Sequence, residues 1–192
     1  MSATSQPFGL IPSYAPGHFA QARRYDNGIA SGYASGILQY QPVALNSSGK
    51  IVAATTASDF LGSFAGVTYF DASGIPHTQN QWISGTVIQA GQPLWVWVYD
   101  GPTMEYMIQC DGSLAQSNGG QLDLTAANIA AGSTVTGLST ATAQASSLTT
   151  SGQAQLRITE LDLSIGNAWG DAYTIVKVQI ARHQLVANKV AV

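Results

Sequence analysis

The sequence predicts an all-β fold, an antiparallel β-sandwich or barrel-like domain carrying an extended N-terminal arm. Three observations carry that expectation. Short apolar runs recur between clusters of Gly, Asn, Asp, Ser and Pro, the pattern of strands and turns rather than of amphipathic helices. Charged residues are 9% of the chain, against a usual value of about 25%, and neutral polar and small residues replace them. Met1 to Ala22 hold no Asp, Glu, Lys or Arg, and Pro7, Pro12 and Pro16 interrupt any helix there.

The arm spans residues 1–27. Its apolar residues, Phe8, Leu10, Ile11, Tyr14 and Phe19, fit neither a helix nor a strand period. Fully stretched, such a segment reaches roughly 80 Å. Two placements are open: along a partner, with Phe8, Ile11, Tyr14 and Phe19 as anchors, or around its own domain. Arg23, Arg24 and Tyr25 then form a polar hinge next to the domain.

Residues 28–192 read as a single β-rich domain. GILQYQPVAL, KIVAAT, FLGSFAGVTYF, QWISGTVI, PLWVWVYD and EYMIQCD are the first strands. Pro42 lies inside one of them and marks an edge strand or a bulge, because proline cannot donate to the ladder. Asp100-Gly101-Pro102-Thr103 suits a four-residue hairpin loop. Before that loop, Leu94, Val96 and Val98 point one way and Trp95, Trp97 and Tyr99 the other. Neither face is polar. The aromatic one is either an inner wall of the domain or an oligomer seam.

Ser, Thr and Ala dominate an insert at about 124–152, where no residue is charged. It reads as a linker, a long surface loop or a β-excursion, with a short helix in TAANIAA, residues 125–131. Strands return in QAQLRITELDLS, whose alternation slips near Thr159, and in AYTIVKVQIARHQL, which closes the sheet.

Composition excludes several functions. A net charge of −3 and scattered Lys and Arg, adjacent only at Arg23 and Arg24, argue against nucleic-acid binding. Cys110 is the single cysteine, so the chain has neither an internal disulfide nor a cysteine metal site. No apolar run approaches the ~18 residues of a membrane helix. The N-terminus has no charged and apolar leader pattern, so synthesis in the cytoplasm is expected.

Catalytic motifs are missing too. There is no GxGxxG, P-loop, HExxH or GxSxG pattern, and GYASG at 32–36 has its serine one place off. His18, His77 and His183 read as surface or capping residues. Asp71, Asp100, Asp111 and Asp171 sit in turns, where aspartate bonds nearby backbone N–H groups, and Glu160 and Asp162 read as solvated charges. Cys110 reads as a small buried hydrophobe. The expectation is a protein that is not an enzyme and takes no cofactor or metal.

Four stretches together resemble a known group. They are YDNGIASGYASGILQYQPVAL; DFLGSFAGVTYFDASG followed by QWISGT; VWVYDGPTMEYMIQCDGSLAQSNGGQLDL; and QLRITELDLSIGNAWGDAYTIVKVQIARHQ. Their order is similar to that of tailed-bacteriophage head decoration, or cement, proteins over roughly residues 25–185. The arm and the 132–152 segment depart from it. The resemblance implies a virion protein on the outer surface of the capsid, made in the host cytoplasm. It implies that the protein binds the major capsid protein, bridges its subunits and stabilises the shell. Further copies of the chain are implied partners, a trimer being favoured over a dimer; nucleic acid and membrane are not. A tail or vertex component with a carbohydrate- or receptor-binding role is the alternative, with Trp82, Trp95, Trp97 and Trp169 as stacking faces.

Overall fold

In a computed structural model of the chain, which describes residues 4–16 and 19–187, the protein is all-β with antiparallel pairing between its named strands. The strands are β1 (Ile11–Tyr14), β2 (Arg23–Asp26), β3 (Ile37–Leu38), β4 (Pro42–Leu45), β5 (Ile51–Ala53), β6 (Gly62–Phe70), β7 (Pro76–Gln79) and β8 (Gln81–Trp82). They continue with β9 (Trp95–Tyr99), β10 (Glu105–Gln109), β11 (Gln121–Leu122), β12 (Gly132–Ser133), β13 (Leu138–Ser139), β14 (Leu156–Leu161) and β15 (Ile175–Ile180). Two sheets dominate. One runs β1-β10-β15-β14-β11; the other runs β2-β9-β6-β4-β5, with β7 alongside β6.

Two hydrophobic cores follow from this arrangement. The first gathers Tyr106, Ile108, Leu156, Ile158, Val176, Val178 and Ile180 from the five-stranded sheet with Leu10, Phe60 and Ala44. The second lies on the opposite side of the six-stranded sheet, where Phe64, Val67, Val96 and Val98 meet Ile29, Ile37 and Trp82. Each fully buried side chain of this kind contributes about 1.5–3 kcal/mol relative to exposure. Along β10 and β15 the alternate residues Glu105, Met107, Lys177 and Gln179 are only half-buried, as expected of an antiparallel sheet with one wet face.

The main departure from expectation lies between β9 and β10. They are not a hairpin. β9 pairs with β2 and β6, whereas β10 pairs with β1 and β15. Residues 100–104 therefore carry the chain from one sheet to the other. The turn signal was correct, since Met104 N–H donates to the Gly101 carbonyl. Adjacency in sequence did not decide pairing: β9 is an interior strand with β2 on one side and β6 on the other. The Tyr106 hydroxyl donates to the Tyr99 carbonyl at 2.8 Å and braces this corner. Gly62 makes room for it: a Cβ there would lie 2.0 Å from the Tyr99 carbonyl oxygen.

Other elements also differ from the sequence reading. Pro42 is neither at an edge nor in a bulge. It opens β4, an interior strand, at a position where its missing N–H costs no ladder bond. Residues 125–131 form hydrogen-bonded turns, not a helix. The Ser/Thr/Ala insert is folded onto the domain. Ala141 and Ala143 are fully buried, and Ala143 forms a parallel bridge to Cys110. Small side chains let the two backbones meet there, and a buried Thr125–Thr142 hydroxyl pair at 3.1 Å satisfies its own polarity. The slip near Thr159 coincides with an irregularity in the β14–β15 register between Ile158 and Glu160.

Candidate interaction surfaces

The segment read as an arm is built into the domain in two places. β1 pairs with β10, placing Ile11 opposite Met107, and β2 pairs with β9. Leu10 and Ala15 are buried in the first core. Gly9, at φ +79°, lets the chain turn tightly against Tyr40, whose carbonyl oxygen a Cβ would approach to 2.6 Å. Of the proposed anchors, Phe8 and Ile11 are half-buried on the chain's own domain. Tyr14 and Phe19 point outward, Phe19 at 93% exposure. His18 lies outside the described residues.

Arg23, Arg24 and Tyr25 are strand residues rather than a hinge. The Tyr25 hydroxyl donates to Asp100 Oδ2 at 2.5 Å, and Arg23 Nη1 lies 3.5 Å from the same oxygen. Burial first, and then the Asp100 carboxylate, raise the Tyr25 phenol well above its ordinary pKa. Asp100 is thus no ordinary turn aspartate; it is buried and bonded to side chains over seventy residues away in sequence. His183 is likewise not a surface residue. It is buried, its Nε2–H donates to the Asp100 carbonyl, and its Nδ1 accepts from Leu185 N–H. Those two bonds select one ring tautomer.

The aromatic face of β9 is divided. Tyr99 packs against the first core. Trp95 and Trp97 belong to neither core and remain half-buried. The Arg24 guanidinium lies over the Trp95 ring at 5.5 Å and pairs with Asp26 at 3.0 Å. Thr68, opposite Trp95, shares a 3.1 Å hydroxyl contact with Thr78. β2 ends the sheet order beside this patch. Of the other tryptophans, Trp82 is buried, which removes it as a stacking face, and Trp169 is half-buried against the first core.

One surface escaped the sequence reading. The 162–174 loop between β14 and β15 holds Leu163 at 81% and Ile165 at 96% exposure. Asn167 fixes this loop, donating to the Asp162 and Ile175 carbonyls and accepting from Ile175 N–H at 2.9 Å. Asp162, read as a solvated charge, is buried and accepts from the Ser164 amide and hydroxyl. The available signal was two aliphatic residues inside a loop of turn formers, DLSIGNAWGD.

Reactive chemistry is sparse. Among the described residues, no group of three or more His, Cys, Asp or Glu side chains could hold a metal ion. Cys110 is buried, and that burial pushes its thiol up to about 12. Asp71 behaves as a turn aspartate, accepting from Ser73 and Ile75 N–H, and also meets His77 Nε2 at 3.0 Å. The His77 bond, followed by the Ile75 amide, holds its carboxyl below the usual range. Glu160 pairs with Lys177 at 2.5 Å on the surface. No described helix is long and apolar enough to cross a membrane. No family model matches the chain, and no curated protein or solved structure matches it.

Proposed function

We propose that this chain is a bacteriophage decoration protein that sits on the outer surface of the icosahedral head and bridges major capsid subunits. The observation that carries the reading is the half of the β9 face that neither core takes up. There, Trp95 and Trp97 stand on a rigid sheet beside the edge strand β2, outside both cores of their own chain. Two large aromatics on a preorganised strand supply contact area at little entropic cost. A neighbouring β2 edge can accept a strand from a partner. Tyr14 and Phe19 add exposed aromatic contacts, and the low charge leaves little to desolvate when a large surface is covered. Repeated over a lattice, modest contacts of this kind hold strongly.

The test is stoichiometry. In purified particles the protein is expected at hundreds of copies, in a simple ratio to the major capsid protein. A dozen or fewer, or none, overturns the cement reading.

A second reading has its own observation. Trp95 carries Arg24 over its ring, with Asp26 and Thr68 adjacent. That pairing of a flat aromatic with polar side chains also suits a sugar, as in a tail or vertex component that binds a receptor. A glycan array on the purified protein separates the two, because only this reading expects a specific glycan whose binding Trp95→Ala removes.

A further inference from the structure

The Leu163–Ile165 loop has a complementary surface on the same molecule that it cannot reach. A groove of about 630 Å³ lies between β3, β5 and the 126–134 turns. Leu38, Ala54, Ile129 and Ala130 form its apolar lining, Thr55 and Thr56 part of its rim, and no lining residue is charged. Its volume is in the range of sites that enclose apolar groups. A second hollow, lined by Trp82 and Ile83, adjoins it and shares Gly36, Leu38 and Thr134.

The β14–β15 ribbon separates the two features. Gln155, immediately before β14, donates to the Thr55 and Thr56 carbonyls and accepts from Leu124 N–H, so the groove is anchored at that end. The Leu163–Ile165 loop leaves from the opposite end, after Leu161. Six strand residues put roughly 20 Å between them, at about 3.3 Å per residue. The loop and the groove can meet only between two molecules.

We propose that Leu163 and Ile165 of one copy seat in the Leu38–Ile129 groove of a second copy. Chemistry and rigidity both favour this occupant. The loop is pinned by Asn167, and by Gly170 N–H, which donates to the Leu114 carbonyl at 2.9 Å. The loop backbone therefore needs little further ordering when it is covered. Neither surface brings a charge to the contact; Asp162, at the base of the loop, is already buried and hydrogen-bonded. The contact is heterologous: each molecule offers one plug and one groove, so copies add head to tail. It goes beyond the virion reading and requires no capsid.

The test is sedimentation velocity on the full chain from about 1 µM to about 1 mM. Wild type is expected to grow in size with concentration. The double variant Leu163→Asp/Ile165→Asp, which lacks the plug, and Ala130→Glu, which blocks the groove, are each expected to stay monomeric. All these positions are exposed, so the urea midpoints should match wild type; Ala126→Glu serves as a second groove variant. An equimolar mixture of the plug and groove variants retains one working plug and one working groove. It should form a one-to-one complex that grows no further. Wild type that stays monomeric throughout, variants that associate like wild type, or a mixture that stays monomeric while wild type associates would each overturn the proposal. Particle stoichiometry is a separate readout, so this contact and the virion reading fail independently.

Discussion

The Tyr25 hydroxyl donates to the Asp100 carboxylate at 2.5 Å, tying the edge strand β2 to the corner where the chain passes between its two sheets. Replacing Tyr25 by Phe leaves a buried carboxylate with Arg23 at 3.5 Å. The expected loss is about 1.5–3 kcal/mol, the range for a bond to a charged group. Urea unfolding of Tyr25→Phe beside wild type measures it, and a change below about 0.5 kcal/mol would show that the bond adds nothing net.

Alkaline pH acts on the same corner. The folded state raises the pKa of Tyr25 by burial and by Asp100, and that of Tyr106 by burial and then Asp100. A raised pKa means the fold favours the neutral phenol. The resulting stability is fully present below the unfolded value of about 10 and is lost as pH climbs through the folded value. Unfolding free energy should therefore fall above pH about 10. In Tyr25→Phe the fall should be shallower, with Tyr106 still contributing. Identical slopes for the two proteins would contradict this.

Gly62 is expected to tolerate no side chain. An alanine Cβ would sit 2.0 Å from the Tyr99 carbonyl oxygen, and the backbone must shift to admit it. Gly62→Ala should cost about 3 kcal/mol or more, the upper range of overpacking. A lower urea midpoint with an unchanged slope is the expected signature.

The tryptophans should separate stability from binding. Trp82 is buried in the second core, so Trp82→Ala should cost about 3–5 kcal/mol. Trp97→Ala removes a half-buried ring outside both cores and should cost less than half as much. If the β9 face is the partner surface, that variant folds but no longer joins particles. Equal destabilisation by the two substitutions would mean that the Trp97 face is already a core.

Truncation should distinguish the arm's two ends. Removing residues 2–22 deletes β1 and uncovers the first core at Leu10, and Leu10→Ala alone should cost about 2–5 kcal/mol. Removing only residues 2–5 should cost far less, about 0.5–1.5 kcal/mol, because it takes away the Thr4 carbonyl that accepts from the buried Gln109 side-chain amide at 3.1 Å. Thermal melts of the two truncations decide this, and a stable protein after the longer deletion would show that β1 is dispensable.

What could be read from the chain was local. Alternating residues in Trp95–Tyr99 and Ile175–Ile180, turn formers at Asp71–Gly74 and Gly101–Thr103, and the slip at Thr159 report backbone preferences over a few residues. They sufficed for an all-β fold and for most of the longer strands. β7 was missed because Pro76–Gln79 reads as turn composition, yet it borrows its ladder from β6. The insert was missed as core because Ala141, Thr142 and Ala143 carry no strong hydrophobic signal; they are buried because small residues permit close backbone approach.

Partner choice needed the folded chain. Alternation shows that β9 has two apolar faces but not that β10 turns away to the other sheet, because pairing is settled by which long-range contacts bury the most surface together. The same competition drew Leu10 and Ala15 into the first core, bonded Asp100 to Tyr25, and left Trp95, Trp97, Leu163 and Ile165 outside. Composition and periodicity limited this protein to strands with an unusually neutral surface. Which apolar residues remained outside the two cores depended on the three-dimensional order of those strands.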